Sequence, residues 1–129
     1  MIGDITNEVL TKVKNSLTNV SVYTYYPNST PTFPCVIVSD GIRDKIDTVD
    51  SSGVYHALYN IQFDIFTDGD LRTSDARSIR DTIYTCIETN FNLNLDFSDT
   101  IPNYSDNGVY RYIMRYTGTL DKNDLIYRR

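Results

Sequence analysis

Two long segments of the chain alternate between apolar and polar residues. The first covers residues 54–66, VYHALYNIQFDIF, and the second covers residues 109–120, VYRYIMRYTGTL. A period of two, rich in aromatic and β-branched residues, predicts strands whose two faces meet different environments. The first strand would span roughly 43 Å, whereas a globule of this chain length is roughly 36 Å across. Such a strand must bend, contain a bulge, or project toward a neighbour.

Two other segments have the spacing of amphipathic helices. Apolar residues recur every four positions in residues 3–17 and every three or four positions in residues 75–89, which predicts one apolar stripe on each helix. These positions are Ile5, Val9, Val13 and Leu17 in the first helix, and Ala76, Ile79, Ile83, Cys86 and Ile87 in the second. We expect Asp4 and Ser74 to cap the helix N-termini, and Asn90 to cap the C-terminus of the second helix.

The element order predicts the fold class. Residues 20–25, 33–39 and 93–97 read as short strands, and the apolar run FPCVIVS at 33–39 predicts burial on both faces. The order is then helix, strand, strand, long strand, helix, strand, long strand. This order predicts a single α+β domain over residues 1–129, with an antiparallel-rich sheet and both helices packed on one face.

Two polar segments have no clear place in this sheet. Residues 41–53, GIRDKIDTVDSSG, are either a flexible arm that orders on assembly, which we favour, or a continuation of the flanking strands into a hairpin near Ser52. The tail, residues 122–129, is either a docking segment or mobile.

The charged residues of the arm and of the last strand are candidates for a subunit or partner interface. They are Arg43, Asp44, Lys45, Asp47, Asp50, Arg111 and Arg115. Because Arg111 and Arg115 lie four positions apart on one strand, both point away from the helices, about 13 Å from each other. They are suited to carboxylates of a neighbouring subunit, although a solvated strand face is the explanation that we favour.

Composition and charge narrow the range of partners. The net charge is −5 and basic residues do not cluster, so we expect no direct binding to nucleic acid. An acidic chain is nevertheless suited to line a passage for DNA, because it repels the phosphates. The chain has eleven tyrosines and no tryptophan. These tyrosines either cover a face of the sheet or form an interface. No apolar run is long enough for a membrane span, and we expect a cytosolic protein without a membrane partner.

Residues with catalytic or metal-binding chemistry are sparse. His56 is the only histidine, and we expect both Cys35 and Cys86 to be reduced and buried. The spacing of Asp44, Asp47 and Asp50 lacks the ligand order of a calcium loop. We therefore predict no catalytic residues, no metal and no cofactor, and a protein that is not an enzyme.

The N-terminal helix is followed by the segment PTFPCVIVSD and then by the polar arm. After the arm come the segments YNIQFDIFTD, ARSIRDTIYTCIE and YRYIMRYTGTLD. In element order and texture, residues 3–121 resemble the tail terminators, or tail completion and tail-to-head joining proteins, of long-tailed bacteriophages.

The resemblance implies a structural protein of the virion, assembled in the host cytoplasm and located at the head–tail interface. It implies a hexameric ring that caps the tail tube, stops tube polymerisation and meets the head–tail connector proteins, while DNA passes through without specific binding. One alternative is a head-completion, or stopper, protein of the same connector. Another is a small non-catalytic binding module.

Overall fold

A computed structural model of the chain describes residues 2–24, 32–49, 55–101 and 109–121, with side chains over 6–24, 32–39, 59–100 and 109–118. In chain order the elements are α1 (Ile2–Ser16), β1 (Ser21–Tyr23), β2 (Cys35–Val49), β3 (Tyr55–Asp68), α2 (Arg72–Asn90), β4 (Asn94–Ile101) and β5 (Val109–Asp121). Both predicted helices and both predicted long strands are present.

The strands form one sheet in the order β1-β2-β3-β5-β4. β1 is parallel to β2, and the remaining neighbours are antiparallel. The predicted α+β class is therefore confirmed. β3 is the central strand, and all of its residues but the first pair with β5, from His56 with Asp121 to Asp68 with Val109.

A single hydrophobic core lies between the sheet and the two helices. The predicted stripe of α2 is buried throughout, and Val9 and Val13 of α1 belong to the same core. The strand residues of this core include Val36, Val38, Tyr59, Ile61, Phe63, Ile65, Met114 and Tyr116. Because both helices share this core, they pack on the same face of the sheet, as the sequence predicts.

Residues 35–38, at the start of β2, are buried on both faces, which confirms the interpretation of the apolar run up to Val38. Val36 and Val38 belong to the helix-side core, while Cys35 and Ile37 alternate with them and are also buried. Pro34 precedes the strand, and its carbonyl oxygen accepts a hydrogen bond from the backbone N–H of Ser21.

The predicted helix caps are wrong by one to three positions. α1 begins at Ile2, so Asp4 lies inside its first turn. α2 begins at Arg72 after a turn through Gly69, whose φ of 84° suits glycine, and no side chain caps it at Leu71. In this turn the backbone N–H of Arg72 donates to the Gly69 carbonyl oxygen, so the helix begins before Ser74.

The C-terminal cap of α2 also shifts. Asn90 is the last helical residue, and its side-chain amide donates a hydrogen bond to the Cys86 carbonyl oxygen at 2.9 Å. The cap position itself is Phe91, whose backbone N–H donates to the Ile87 carbonyl oxygen.

The backbone of residues 41–49 belongs to β2, not to a flexible arm as we favoured. Here the second interpretation, in which the flanking strands continue, matches the structure. Ile42 pairs with Tyr59, Ile46 with Ala57, and the register shifts between them, so residues 43–45 lie opposite one position of β3. Such a bulge absorbs the polar insertion between paired apolar residues. Residues 50–53 and the tail at 122–129 lie outside the described residues.

The buried face of α2 gives a first prediction. Replacing Ile83, which is fully buried, with alanine should lower the free energy of unfolding by about 2–5 kcal/mol, because a cavity remains in the core. The measurement is chemical denaturation, with the exposed Thr85→Ala as a control on the same helix. Equal stability of the two variants would contradict this packing.

Candidate interaction site

Arg111 and Arg115 lie together on the face of the sheet opposite the helices. On β5 they alternate with Met114 and Tyr116, which are buried in the core. On β3 the same face carries Gln62 and Asp64. We refer to this side of the sheet as the helix-free face.

Four side chains on this face form a continuous polar ladder, Arg115–Gln62–Asp64–Arg111. Arg115 donates to Gln62 Oε1 from Nε at 3.2 Å and from Nη2 at 3.1 Å. Gln62 Nε2 donates to Asp64 Oδ1 at 2.8 Å. Arg111 Nη2 donates to Asp64 Oδ2 at 2.8 Å, which closes the ladder with a salt bridge.

Strand register explains why these side chains meet. Gln62 and Asp64 are two positions apart, so they share a face of β3. Arg115 lies directly opposite Gln62, and Arg111 lies opposite Phe66, one step along the face from Asp64. A long arginine side chain reaches such a diagonal neighbour easily.

Asp64 is the most demanding member of the ladder because its carboxylate is buried. Its side chain is only 3% exposed, against 28% for Arg111. Its direct partners across the neighbouring strands are Ile37 and Ile113, which are both buried. An ionised carboxylate in such surroundings needs a partner charge and hydrogen bonds, which Arg111 and Gln62 supply.

Each arginine is also held against an aromatic ring. The Arg111 guanidinium lies 5.5 Å from the centroid of Phe66, and that of Arg115 lies 5.8 Å from the centroid of Phe97. Both distances suit cation–π attraction. Arg115 is exposed and Phe97 is 38% exposed, so this end of the ladder presents a fixed charge and an aromatic surface to solvent.

The structure separates the predicted interface residues into two groups. Arg43, Asp44, Lys45 and Asp47 lie on β2 around Ile46, which pairs with Ala57. On β5, Arg115 pairs with Gln62 and Arg111 pairs with Phe66, which are five and nine β3 positions from Ala57. These separations correspond to about 17 Å and about 30 Å along the strand. The side chains of the β2 group, and Asp50 altogether, lie outside the described residues.

The structure also contains a polar cluster that sequence reasoning missed, on the helix side of β4. The hydroxyl groups of Tyr112 and Ser98 are 2.6 Å apart, and those of Tyr110 and Thr100 are 2.7 Å apart. Arg80 of α2 lies over the Tyr112 ring at 5.7 Å. The only available signal was the tyrosine alternation along β5, which did not identify the hydroxyl partners on β4.

These contacts bear on the two interpretations of the tyrosines. Tyr59 and Tyr116 are fully buried, and Tyr110 and Tyr112 are half-buried beneath α2 and beside β4. Burial, and to a lesser extent the nearby Glu88, raises the pKa of the Tyr116 hydroxyl. These four tyrosines therefore cover the helix-facing side of the sheet.

The cysteines behave as the sequence predicts. Cys35 and Cys86 are both free and buried. Burial raises the pKa of the Cys35 thiol to about 11, so this thiol is a poor nucleophile at neutral pH.

Within the described ranges, no group of three or more histidine, cysteine or acidic residues is arranged to hold a metal ion. In the same ranges, no helix combines the length and the apolar character that crossing a membrane requires. No protein-family model matches the chain, and no curated protein matches it either.

The ladder gives a second prediction. Arg111→Ala should destabilise the fold by roughly 3 kcal/mol, because it removes the salt bridge to a carboxylate that is buried beside two isoleucines. Arg115→Ala should cost at most about 1 kcal/mol, because its guanidinium is exposed. Chemical denaturation measures both.

A double replacement separates the ion pair from simple packing. The variant Asp64→Leu with Arg111→Leu should be more stable than Arg111→Ala, since it removes the buried charge together with its partner. A double variant that is less stable than the single variant would contradict the role assigned to Asp64.

A third prediction concerns Cys35. With the thiol pKa near 11 instead of 9.0, the thiolate fraction at pH 8 is about 100-fold lower, and alkylation in the folded protein should slow at least in proportion. Mass spectrometry of iodoacetamide-treated protein measures the rate, with urea-unfolded protein as the reference. Alkylation at the unfolded rate would show that the site is open.

Proposed function

We propose that this protein is a ring-forming structural component of a phage tail, a tail terminator that caps the tail tube, stops its polymerisation and joins tail to head. Its site of action is then the head–tail interface of the virion. The proposal combines the resemblance in element order with three physical features of the described residues.

The open borders of the sheet carry most of the argument. β1 covers only three positions of β2, from Cys35 to Ile37, so residues 38–49 have no outer neighbour in the described part of the chain. β4 forms the opposite border and pairs only with β5 there. Unpaired strand edges are templates for another chain, and a ring requires each copy to meet two others.

Strand length gives a second argument. The 14 residues of β3 span about 46 Å, whereas the 19 residues of α2 span about 28 Å. β3 is therefore longer than α2, and it is also longer than the 15-residue α1, which spans about 22 Å. A strand of this length supplies contact area for neighbouring subunits.

The polar ladder gives a third argument. Gln62 and an aromatic ring already hold Arg115 in one conformation. A partner carboxylate that binds this guanidinium therefore loses less side-chain entropy than it would with a free arginine. Such a fixed charge is suited to specific contact with another copy or with a tail or connector protein.

Two measurements test this function. Light scattering after size-exclusion chromatography should give a mass several times that of the 14.8 kDa chain. Added to polymerising tail tube protein, the chain should stop tube growth, and it should form rings at tube ends in electron micrographs. A chain that stays monomeric at high concentration and leaves tube length unchanged would contradict the proposal.

Binding to purified partners separates the terminator from its nearest alternative. A terminator should bind the end of the tail tube in the absence of a head. A stopper should bind the portal–adaptor complex in the absence of a tail. Bovine serum albumin at the same concentration controls for non-specific adsorption.

A further inference from the structure

Two edges of the sheet lack a neighbouring strand among the described residues, and they are residues 38–49 of β2 and strand β4. These two open borders run in opposite directions. β3 is antiparallel to β2 and to β5, and β5 is antiparallel to β4, so β4 runs in the same direction as β3 and opposite to β2. If two copies lie side by side with the same orientation, β4 of one meets β2 of the next as an antiparallel pair. Antiparallel pairing joins such strands directly through backbone hydrogen bonds.

A side-chain contact identifies the backbone groups that face the β4 border. The backbone N–H of Thr100 donates to its neighbour Asp99 Oδ1 at 2.7 Å, so it points away from β5. Backbone groups of successive strand residues point alternately to the two neighbouring strands. The N–H of Ser98 therefore also faces the outer border.

The same alternation can be followed across the sheet. Thr100 pairs with Tyr112, Tyr112 with Ile65, and β3 then pairs with β2. The alternation places the N–H groups of Asp40 and Ile42 on the outer border of β2. The carbonyl of Pro34, an even number of positions away, accepts from Ser21 of β1 on that border, which agrees with this assignment.

We propose that β4 of one copy pairs antiparallel with residues 38–49 of β2 in the next copy, so that the sheet continues from subunit to subunit. This inference rests on the proposed ring and names the strands that build it. The two borders differ, so the contact is heterologous, and repetition of a heterologous contact produces a ring when the rotation closes.

β1 determines how the copies are offset. It occupies the start of β2, so an incoming β4 must bind further along that strand. β4 lies level with residues 60–66 of β3, and residues 38–49 of β2 lie level with residues 55–63. The centres differ by about four residues, or about 13 Å along the strand.

The offset has the size that a closed sheet requires. Four strands per copy, β2, β3, β5 and β4, occupy about 19 Å across the sheet. A shift of about 13 Å over that width corresponds to a strand tilt of about 35°, and closed barrels have tilts of 35–45°. The offset between copies is therefore compatible with a closed ring.

The bond between Asp99 and Thr100 is compatible with this pairing. Both residues are exposed, and a hydrogen bond in contact with water exchanges for another at small net cost. In a free subunit the carboxylate covers an outward N–H, which discourages indiscriminate strand pairing. In the ring, a carbonyl oxygen of the neighbouring β2 replaces it.

The test removes one outward N–H from β4. Thr100→Pro eliminates the donor without affecting the backbone pairing between β4 and β5, because this N–H does not point to β5. Thr100→Val is the matched control, since both variants lose the hydroxyl contact with Tyr110 but only proline lacks the N–H. We expect proline to raise the protein concentration needed for half-assembly at least tenfold, measured by light scattering, and valine to leave it within twofold.

A second variant tests the β2 border. With two variants, misfolding of one does not leave the proposal undecided. Ile42→Pro removes an outward N–H from β2, with Ile42→Val as its control. Circular dichroism and thermal unfolding establish that each variant is folded. Folded Thr100→Pro and Ile42→Pro proteins that both assemble like the wild type would overturn the edge pairing.

Mixing the two proline variants tests which borders meet. Each variant retains one intact border, so an equimolar mixture should yield heterodimers, while each variant alone stays monomeric. Homodimers of either variant would show that like borders pair, and would overturn the proposal.

These outcomes also separate the two proposals. Proline variants that still form wild-type rings on tail tubes refute the edge pairing and leave the terminator function standing. A wild-type chain that forms no ring under any of these conditions refutes both.

Discussion

The two faces of the central strand β3 lie in different environments, one apolar and one polar. On the helix side, Tyr59, Ile61, Phe63 and Ile65 are completely buried. On the other side, Gln62 and Asp64 bind two arginines of β5. A register slip of one residue would turn Asp64 into the apolar core and the isoleucines out of it. The core and the polar ladder therefore specify the same register independently.

This double constraint extends to the rest of the sheet. Because β5 pairs with β3 along its whole length, the arginines that bind Asp64 and Gln62 also determine which residues of β5 face the helices. β4 pairs with β5 through its backbone, and the hydroxyl contacts of Tyr110 and Tyr112 add to this pairing. Among the described residues, the outer edge of β2 beyond Ile37 and the outer edge of β4 have no neighbouring strand. These unpaired edges are the physical origin of the proposed assembly.

Sequence periodicity predicted the parts of this fold that depend on local alternation. The buried stripe of α2, the two faces of β5 and the doubly buried start of β2 all follow from the spacing of apolar residues. The Arg111–Asp64 pair did not follow, because its members are 47 positions apart and only strand register brings them together. The sequence identified both arginines as candidates but could not identify their partners.

Two errors have a common physical cause. The polar composition of residues 41–49 favoured a flexible arm, and the chemistry of Ser74 favoured a helix cap, since both inferences used intrinsic propensity. In the structure, pairing with β3 overrides the first, and the backbone turn before Arg72 overrides the second. Propensity is a weak prior wherever a long neighbouring strand or a tight turn supplies the hydrogen bonds.

The polar ladder and the open borders have complementary roles in a proposed assembly. Backbone pairing at a strand edge is strong but has little sequence specificity, because every residue offers the same groups. Fixed charges such as Arg115 distinguish one partner from another, since a mismatched charge is costly at a contact that excludes water. A chain that has both features gains affinity from its strand edges and selectivity from its helix-free face. Neither feature alone would restrict pairing to the correct neighbour.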